Sequence, residues 1–263
     1  MPAAPRGLGM AALRTDVLIA HQPAYLPWPG YLARLLDVDQ LVLLDDVQFT
    51  KGGWQNRNYV RGPHGGAQLL TVPVQHRFGQ MINVVAIADQ RWRARHWRAL
   101  TQSYGHAPHW PEWQPRLQAI YQRAWHRLAD LNEALLQLLL DGFDIPVTLV
   151  RSSSLPHTGS RTARLISLCR LTGRTTLRIG TGALSYLDAA ALKTAGIAVE
   201  VATYHLDDDG NAGASPRQGI DARTGEPVPL SALDLLLHHG PQARHLLAAA
   251  AHLDRWTTSG TIS

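Results

Sequence analysis

Hydrophobic positions along this chain come in short runs that end at polar clusters. Val17, Leu18, Ile19 and Ala20 run into His21 and Gln22. A proline-punctuated turn and an apolar-spaced segment at 30–36 follow, so the pattern predicts strand, loop and helix. A second run, 41–44, predicts a strand and stops at the paired carboxylates Asp45 and Asp46, beyond which a polar turn reaches Asn58. The strings LLTVPV (69–74) and VVAIA (84–88), separated by HRFGQ, predict a hairpin or paired extended segments. Helical spacing then takes over across 91–104 and 113–140, where leucines recur at i, i+3 and i+4.

After residue 144 the period alternates. IPVTLV (145–150) reads as a strand ending at Ser152, Ser153 and Ser154, and TARLISLCRLTG (162–173) as a helix stopped by Gly173. TTLRIG (175–180), LDAAALKTAG (187–196) and IAVEVATY (197–204) continue as strand, helix and strand, and LSALDLLLHHG (230–240) closes as a helix with Ser231 near its start. Alternating βα units predict an α/β fold with a mostly parallel, Rossmann-like sheet and a helical segment in the middle of the chain at about 91–141. No repeat or low-complexity linker divides the sequence, which is expected to form one domain over 1–263.

Composition narrows the class. With 263 residues, 45% of them hydrophobic, the chain can bury a large core. No segment reaches the roughly 18 consecutive apolar residues a membrane span needs. The start, up to residue 17, reads as a loose tail and not a signal peptide, so a cytoplasmic location is expected. Cys169 is the only cysteine; it fits a reducing compartment, and its helical spacing with Leu165 and Leu168 marks it as a packed residue, not a nucleophile. The formal charge is +5, and Lys51 and Lys193 are the only lysines. The densest basic cluster, RWRARHWR at 91–98, reads as a helix with Trp92 and His96 on one face and arginines elsewhere. That pattern is not a nucleic-acid module, and no nucleic-acid or membrane partner is expected.

The chemistry concentrates at 21–58. In a parallel sheet, ligands bind outside the carboxyl ends of the strands, where His21 and Asp45 both fall. Either residue has an ordinary alternative, as a buried histidine bonded to a carbonyl or as a cap of the following turn. Together with Asp46, Gln55, Asn56 and Arg57 they are expected to line one cavity. Gly180, Thr181 and Gly182 follow a strand directly, an arrangement whose amides can cradle a phosphate or carboxylate. The sequence has no GxxxxGKS/T, GxSxG or HExxH pattern, and neither a metal nor another cofactor is expected.

HQPAYLPWPGY followed by LDDVQFTKGGWQNRN resembles the signature of the WbqC-like family. LTVPV at 70–74, Gln80 before Ile82, Trp92 with His96, Tyr104 with Ala107 and Pro108, RSSSL at 151–155, GTGALSYLD at 180–188 and LSALDLLLHHG at 230–240 fall in the family's order. The resemblance covers almost the whole chain, departing at 205–229. It implies a bacterial protein associated with O-antigen and other surface-glycan biosynthesis, or with natural-product genes, and a role in modifying an amino-sugar or similar amine.

Joined to the residues, this gives an acyl or aminoacyl transferase that forms an amide bond, moving its group from a thioester donor on coenzyme A or an acyl carrier protein to a small-molecule amine. His21 is the natural base, with His96 competing for the role and Asp45 or Asp46 orienting it. Gln22, Asn56 or Arg57 would hold the carbonyl oxygen and Lys51 a substrate carboxylate or phosphate. Gln48, Gln55, Asn58, Gly180 and Gly182 complete the expected binding set with Tyr25, Trp28 and Trp54. Two other classes stay open: an ATP-dependent ligase or nucleotidyltransferase using the glycine turn and paired acids, and a non-catalytic glycan-binding module using Tyr25, Trp28, Tyr31 and Trp54 as platforms.

Overall fold

The structure, a computed structural model, describes residues 13–205, 218–221 and 224–256. The expected N-terminal tail, up to residue 12, and most of the divergent 205–229 segment lie outside the described residues.

In chain order the elements are β1 (Val17–His21), α1 (Pro29–Ala33), β2 (Gln40–Leu43), β3 (Arg57–Arg61), β4 (Ala67–Thr71), β5 (Val74–Gln75), β6 (Ala86–Ile87), α2 (Arg91–Tyr104), α3 (Trp110–Gln122) and α4 (Leu128–Gly142). They continue as β7 (Thr148–Arg151), α5 (Arg161–Thr172), β8 (Thr176–Gly180), α6 (Ala189–Thr194), β9 (Ala198–Tyr204), β10 (Gln218–Ile220), β11 (Pro227–Pro229), α7 (Ala232–His239), α8 (Ala243–Ala249) and β12 (Ala251–Arg255). Six strands form one sheet in the order β12-β9-β8-β1-β2-β7. All neighbours pair in parallel except β12, which runs antiparallel to β9. Counted along the chain, the five parallel strands read 3-2-1-4-5, so the connection reverses direction between β1 and β8. The fold is α/β, as the alternating pattern predicts.

Side chains alternate across a strand with a period of two, and β1 shows both faces. Val17 and Ile19 join the larger core, shared with Leu41, Leu43 and residues of α1, α2, α3, α4, α7 and α8. Leu18 joins the other, with Val42, Leu177, Val199 and the buried faces of α5 and α6. Cys169 lies in this second core, where burial pushes its thiol pKa up to about 12. Helices therefore cover both faces of the sheet, which leaves the strand ends as the places where the chain can open a cavity.

Three local expectations need correction. The polar turn ending at Asn58 gives way to a strand, β3, which takes β4 as its antiparallel partner; the expected pairing of 69–74 with 84–88 is present only at its end, where Val74 and Gln75 of β5 meet Ile87 and Ala86 of β6. The helical stretch 113–140 is two helices, broken where Trp125 turns inward. Its indole N–H donates to the Ile120 carbonyl and Gln90 bonds its main chain on both sides, so the buried ring anchors the break. Beyond the final predicted helix the chain adds α8 and the edge strand β12. Among the described residues no helix is long and apolar enough to cross a membrane.

Candidate functional site

A cavity of about 800 Å³ opens at the carboxyl ends of β1 and β8. This is where the strand order reverses, and the loops after the two strands part there because their connections leave in opposite directions. His21 and Gln22 enter it from β1, Asp46 and Gln48 from the β2 loop, and Gly180, Gly182 and Tyr186 from the loop after β8. Arg34 enters from the end of α1, and Ser160, Arg161 and Arg164 from the start of α5.

His21 lies edge-on to Tyr31, ring centroids 4.5 Å apart, and its Nδ1 is 3.0 Å from the Gln22 carbonyl oxygen. A carbonyl only accepts, so Nδ1 carries the proton and Nε2 is the basic nitrogen. Burial, and then the Arg34 charge, push the imidazole pKa down to about 4, and His21 is neutral at pH 7. Gln22 is oriented by Gln55, whose Nε2 donates to the Gln22 Oε1 at 2.6 Å. That bond leaves the Gln22 amide N–H groups as donors at the cavity wall.

The paired carboxylates divide their work. Asp45 is buried and accepts from the Ser153 amide at 3.0 Å and the Ser153 hydroxyl at 2.7 Å, pinning the turn that follows β7. It does not line the cavity. Asp46 does, and it is held by the Ser152 hydroxyl, by His157 Nε2 at 2.7 Å and by Arg164 at 3.1 Å. Burial alone would raise the Asp46 pKa, but the Ser152 hydrogen bond, the Arg164 charge and His157 outweigh it and hold the carboxylate below its ordinary value. Neither aspartate has a hydrogen bond to His21.

The other expected residues are spread through the surrounding scaffold. His96 is buried among Trp92, Tyr25 and Tyr121; its Nδ1 meets the Tyr25 hydroxyl at 2.8 Å, that hydroxyl meets Tyr121 at 2.7 Å, and burial lowers the His96 pKa to about 4. Asn56 and Asn58 donate to the carbonyls of Val72 and Leu26, and Arg57 donates to that of Gly52. These side chains satisfy loop main chain that has no sheet partner. Trp28 packs on Tyr204 at 5.6 Å, Trp54 is half exposed and Lys51 is exposed. The cavity thus brings together His21, Gln22, Asp46, Gln48, Gly180 and Gly182, and does not include Asp45, Gln55, Asn56 or Arg57.

Arg34, His157, Arg161 and Arg164 belong to the site or its support, and sequence reading missed them. Each sits one turn or more from a strand end, inside segments that read as ordinary amphipathic helix or loop. Arg161 carries a signal visible only in structure: its φ of +48° is a left-handed backbone conformation, uncommon for a residue with a side chain, at the cavity rim.

Two comparisons bear on this chain. It is similar to the uncharacterized protein Rv1507c of Mycobacterium tuberculosis strain H37Rv, with 34% identity over 225 residues that cover 84% of this chain and 93% of the relative. No solved structure matches it significantly. The profile of the WbqC-like protein family matches residues 22–246, a span that takes in the β1 turn, the Asp46 loop, the α5 arginines and the glycine turn after β8. The chain belongs to the WbqC-like protein family.

Proposed function

We propose that this protein is an amide-forming transferase that moves an acyl or aminoacyl group from a thioester to an amine such as an amino-sugar, in the cavity between β1 and β8. The observation that carries the reading is the pairing, on one wall, of a neutral imidazole whose Nε2 is unprotonated with an amide donor held by Gln55. In the reaction the amine nitrogen attacks the thioester carbonyl, the C–N bond forms, the C–S bond breaks, and one proton passes from nitrogen to the departing thiolate. His21 Nε2 accepts that proton and returns it to sulfur, while the Gln22 N–H groups hold the developing oxyanion. An imidazole with a pKa near 4 is a weak base, and it suits a late transfer: the nitrogen becomes strongly acidic only once it is bonded to the carbonyl carbon. Asp46, fixed by His157, Ser152 and Arg164, offers carboxylate oxygens that can accept a hydrogen bond from the neutral amine and orient it for attack. The donor is coenzyme A-linked or carried on an acyl carrier protein.

The sheet order itself favours a second reading, an ATP-using ligase, because nucleotides bind at this reversal point in other doubly wound sheets. One experiment separates the two. Purified protein is given acyl thioesters and amino-sugar acceptors, with free thiol, amide product and ATP consumption followed together. Thiol release and amide formation without ATP supports the transferase; amide formation that requires ATP overturns it in favour of the ligase. His21→Ala is expected to lower kcat by about 10²-fold or more while leaving the fold intact. A folded His21→Ala protein turning over at the wild-type rate removes His21 as the base.

A further inference from the structure

Among the described residues, nearly every arginine withdrawn from solvent is matched. Arg178, buried in β8, is held by Asp37 and Glu200; Arg174 by Asp39; Arg61 by Asp234; Arg151 by Asp130 and Glu133. Arg57, Arg93 and Arg244 donate to main-chain carbonyls. Arg34 is the exception. It is partly buried, burial pulls its pKa below the ordinary arginine value, and its guanidinium has neither a carboxylate nor a carbonyl partner among the described residues. A charge taken from water without a counter-ion is costly, so its position in a cavity wall marks a place where the counter-ion arrives with a ligand.

The wall is shaped for this. A Cβ on Gly180 would sit 2.6 Å from one terminal nitrogen of Arg34 and 2.7 Å from its central carbon, so the guanidinium lies against the glycine and any side chain there would have to push it out of this position. The cavity's charges do not balance either. Four arginines and one aspartate line it; Arg178 is neutralised by Asp37 and Glu200, and Arg164 by Asp46. Arg34 and Arg161 remain, two positive charges facing one space, with His21 neutral between the strands. A dianion complements them, and the planar guanidinium suits the paired oxygens of a phosphate.

We propose that the Arg34–Gly180 wall is a phosphate subsite, which binds the phosphate or diphosphate ester of the substrate and places the rest of that molecule beside His21. The assignment rests on the proposed function in taking the same cavity as the substrate site, and it requires no particular reaction. Two sources carry this chemistry: the donor, through the phosphates of coenzyme A or a carrier's phosphopantetheine, and the acceptor, through the nucleoside diphosphate of an activated sugar. Bringing a dianion to Arg34 also offsets the charge that lowers the His21 pKa, so an occupied subsite makes His21 a stronger base.

The test is equilibrium binding by calorimetry with coenzyme A, uridine diphosphate and inorganic pyrophosphate, each with wild type, Arg34→Gln and Gly180→Ala, alongside the His21 pKa by imidazole NMR. At least one ligand is expected to bind wild type, about 10-fold or more weaker to each variant, and to raise the His21 pKa when bound. Preference for coenzyme A places the donor at the subsite, and preference for uridine diphosphate the acceptor. A folded Arg34→Gln protein that binds all three ligands as wild type does, or a wild type that binds none of them, overturns the proposal; Arg34→Lys, which keeps the charge, guards against misreading a folding defect. No turnover is measured, so a failed transferase reading leaves this result interpretable, and a failed subsite leaves the transferase assay untouched.

Discussion

Acidification to pH 5 should cost this protein several kcal/mol of stability, and two histidines account for it. His21 and His96 both have folded-state pKa values near 4, lowered first by burial, against about 6.5 in an unfolded chain. Between those values the unfolded chain binds a proton that the folded chain refuses, so stability rises with pH through this window and falls as pH drops from 6.5 towards 4. With those two pKa values, each histidine costs about 2 kcal/mol at pH 5 and almost nothing at pH 7, so the pair removes about 4 kcal/mol. Asp46 and the other aspartates held low by hydrogen bonds stay ionised in both states at pH 5 and act only in stronger acid. The assay is urea unfolding followed by tryptophan fluorescence at pH 7 and pH 5. The His96→Phe and His21→Gln proteins should each lose only about half as much on acidification, whatever their stability at pH 7. If wild type loses less than about 1 kcal/mol between the two pH values, or the variants lose as much as wild type, the two imidazoles are not buried neutral and the reasoning fails.

Asp45→Ala is expected to lower stability by about 2–4 kcal/mol, since it strips the Ser153 amide and hydroxyl of their buried acceptor; a denaturation midpoint within experimental error of wild type would contradict this. Asp46→Asn should instead leave the fold largely intact and weaken turnover of amine acceptors, mainly through KM, in the transferase assay. Cys169 should be inert to thiol reagents in the folded protein, because it is buried and its pKa is raised to about 12, and should label only as denaturant is added; stoichiometric labelling in native buffer would contradict the packing described.

The βα alternation after residue 144 is legible because β7, β8 and β9 grow from short apolar runs, and Gly173, at φ +68°, ends α5 where the pattern says it should. His21 is legible for the same reason, as a polar group at the end of an apolar run. The density of amides at 55–58 misleads. In sequence, Gln55, Asn56 and Asn58 look like ligand groups; in the fold Asn56 and Asn58 satisfy main-chain carbonyls around β3 and Gln55 orients Gln22 from outside the cavity, and a buried amide satisfying a carbonyl has the same sequence appearance as one awaiting a substrate. Asp45 and Asp46 show how fine the distinction is, since adjacent side chains diverge and one turns into the protein while its neighbour meets the cavity. Arg34, His157 and Arg164 were beyond reach because strand order brings them together, and alternation of elements leaves that order open. The edge strand β12 escaped because its Ala251–Arg255 sequence lies half exposed and has no run of apolar residues.

The short helix that delivers Arg34 is held from the far end of the chain. The Pro27 carbonyl before it accepts from the Ala232 amide, and the Leu36 carbonyl after it accepts from Arg244. β1, at the centre of the sheet, likewise gains its β8 neighbour only after some 150 further residues have been made. On the ribosome, then, the first site residues to emerge are among the last to be fixed: His21 and Arg34 wait through most of translation with one strand edge open, and the cavity closes around them only when α7 and α8 have left the tunnel. A chain interrupted before residue 176 would carry His21 and Arg34 and no site, and its open β1 edge would be a liability for aggregation.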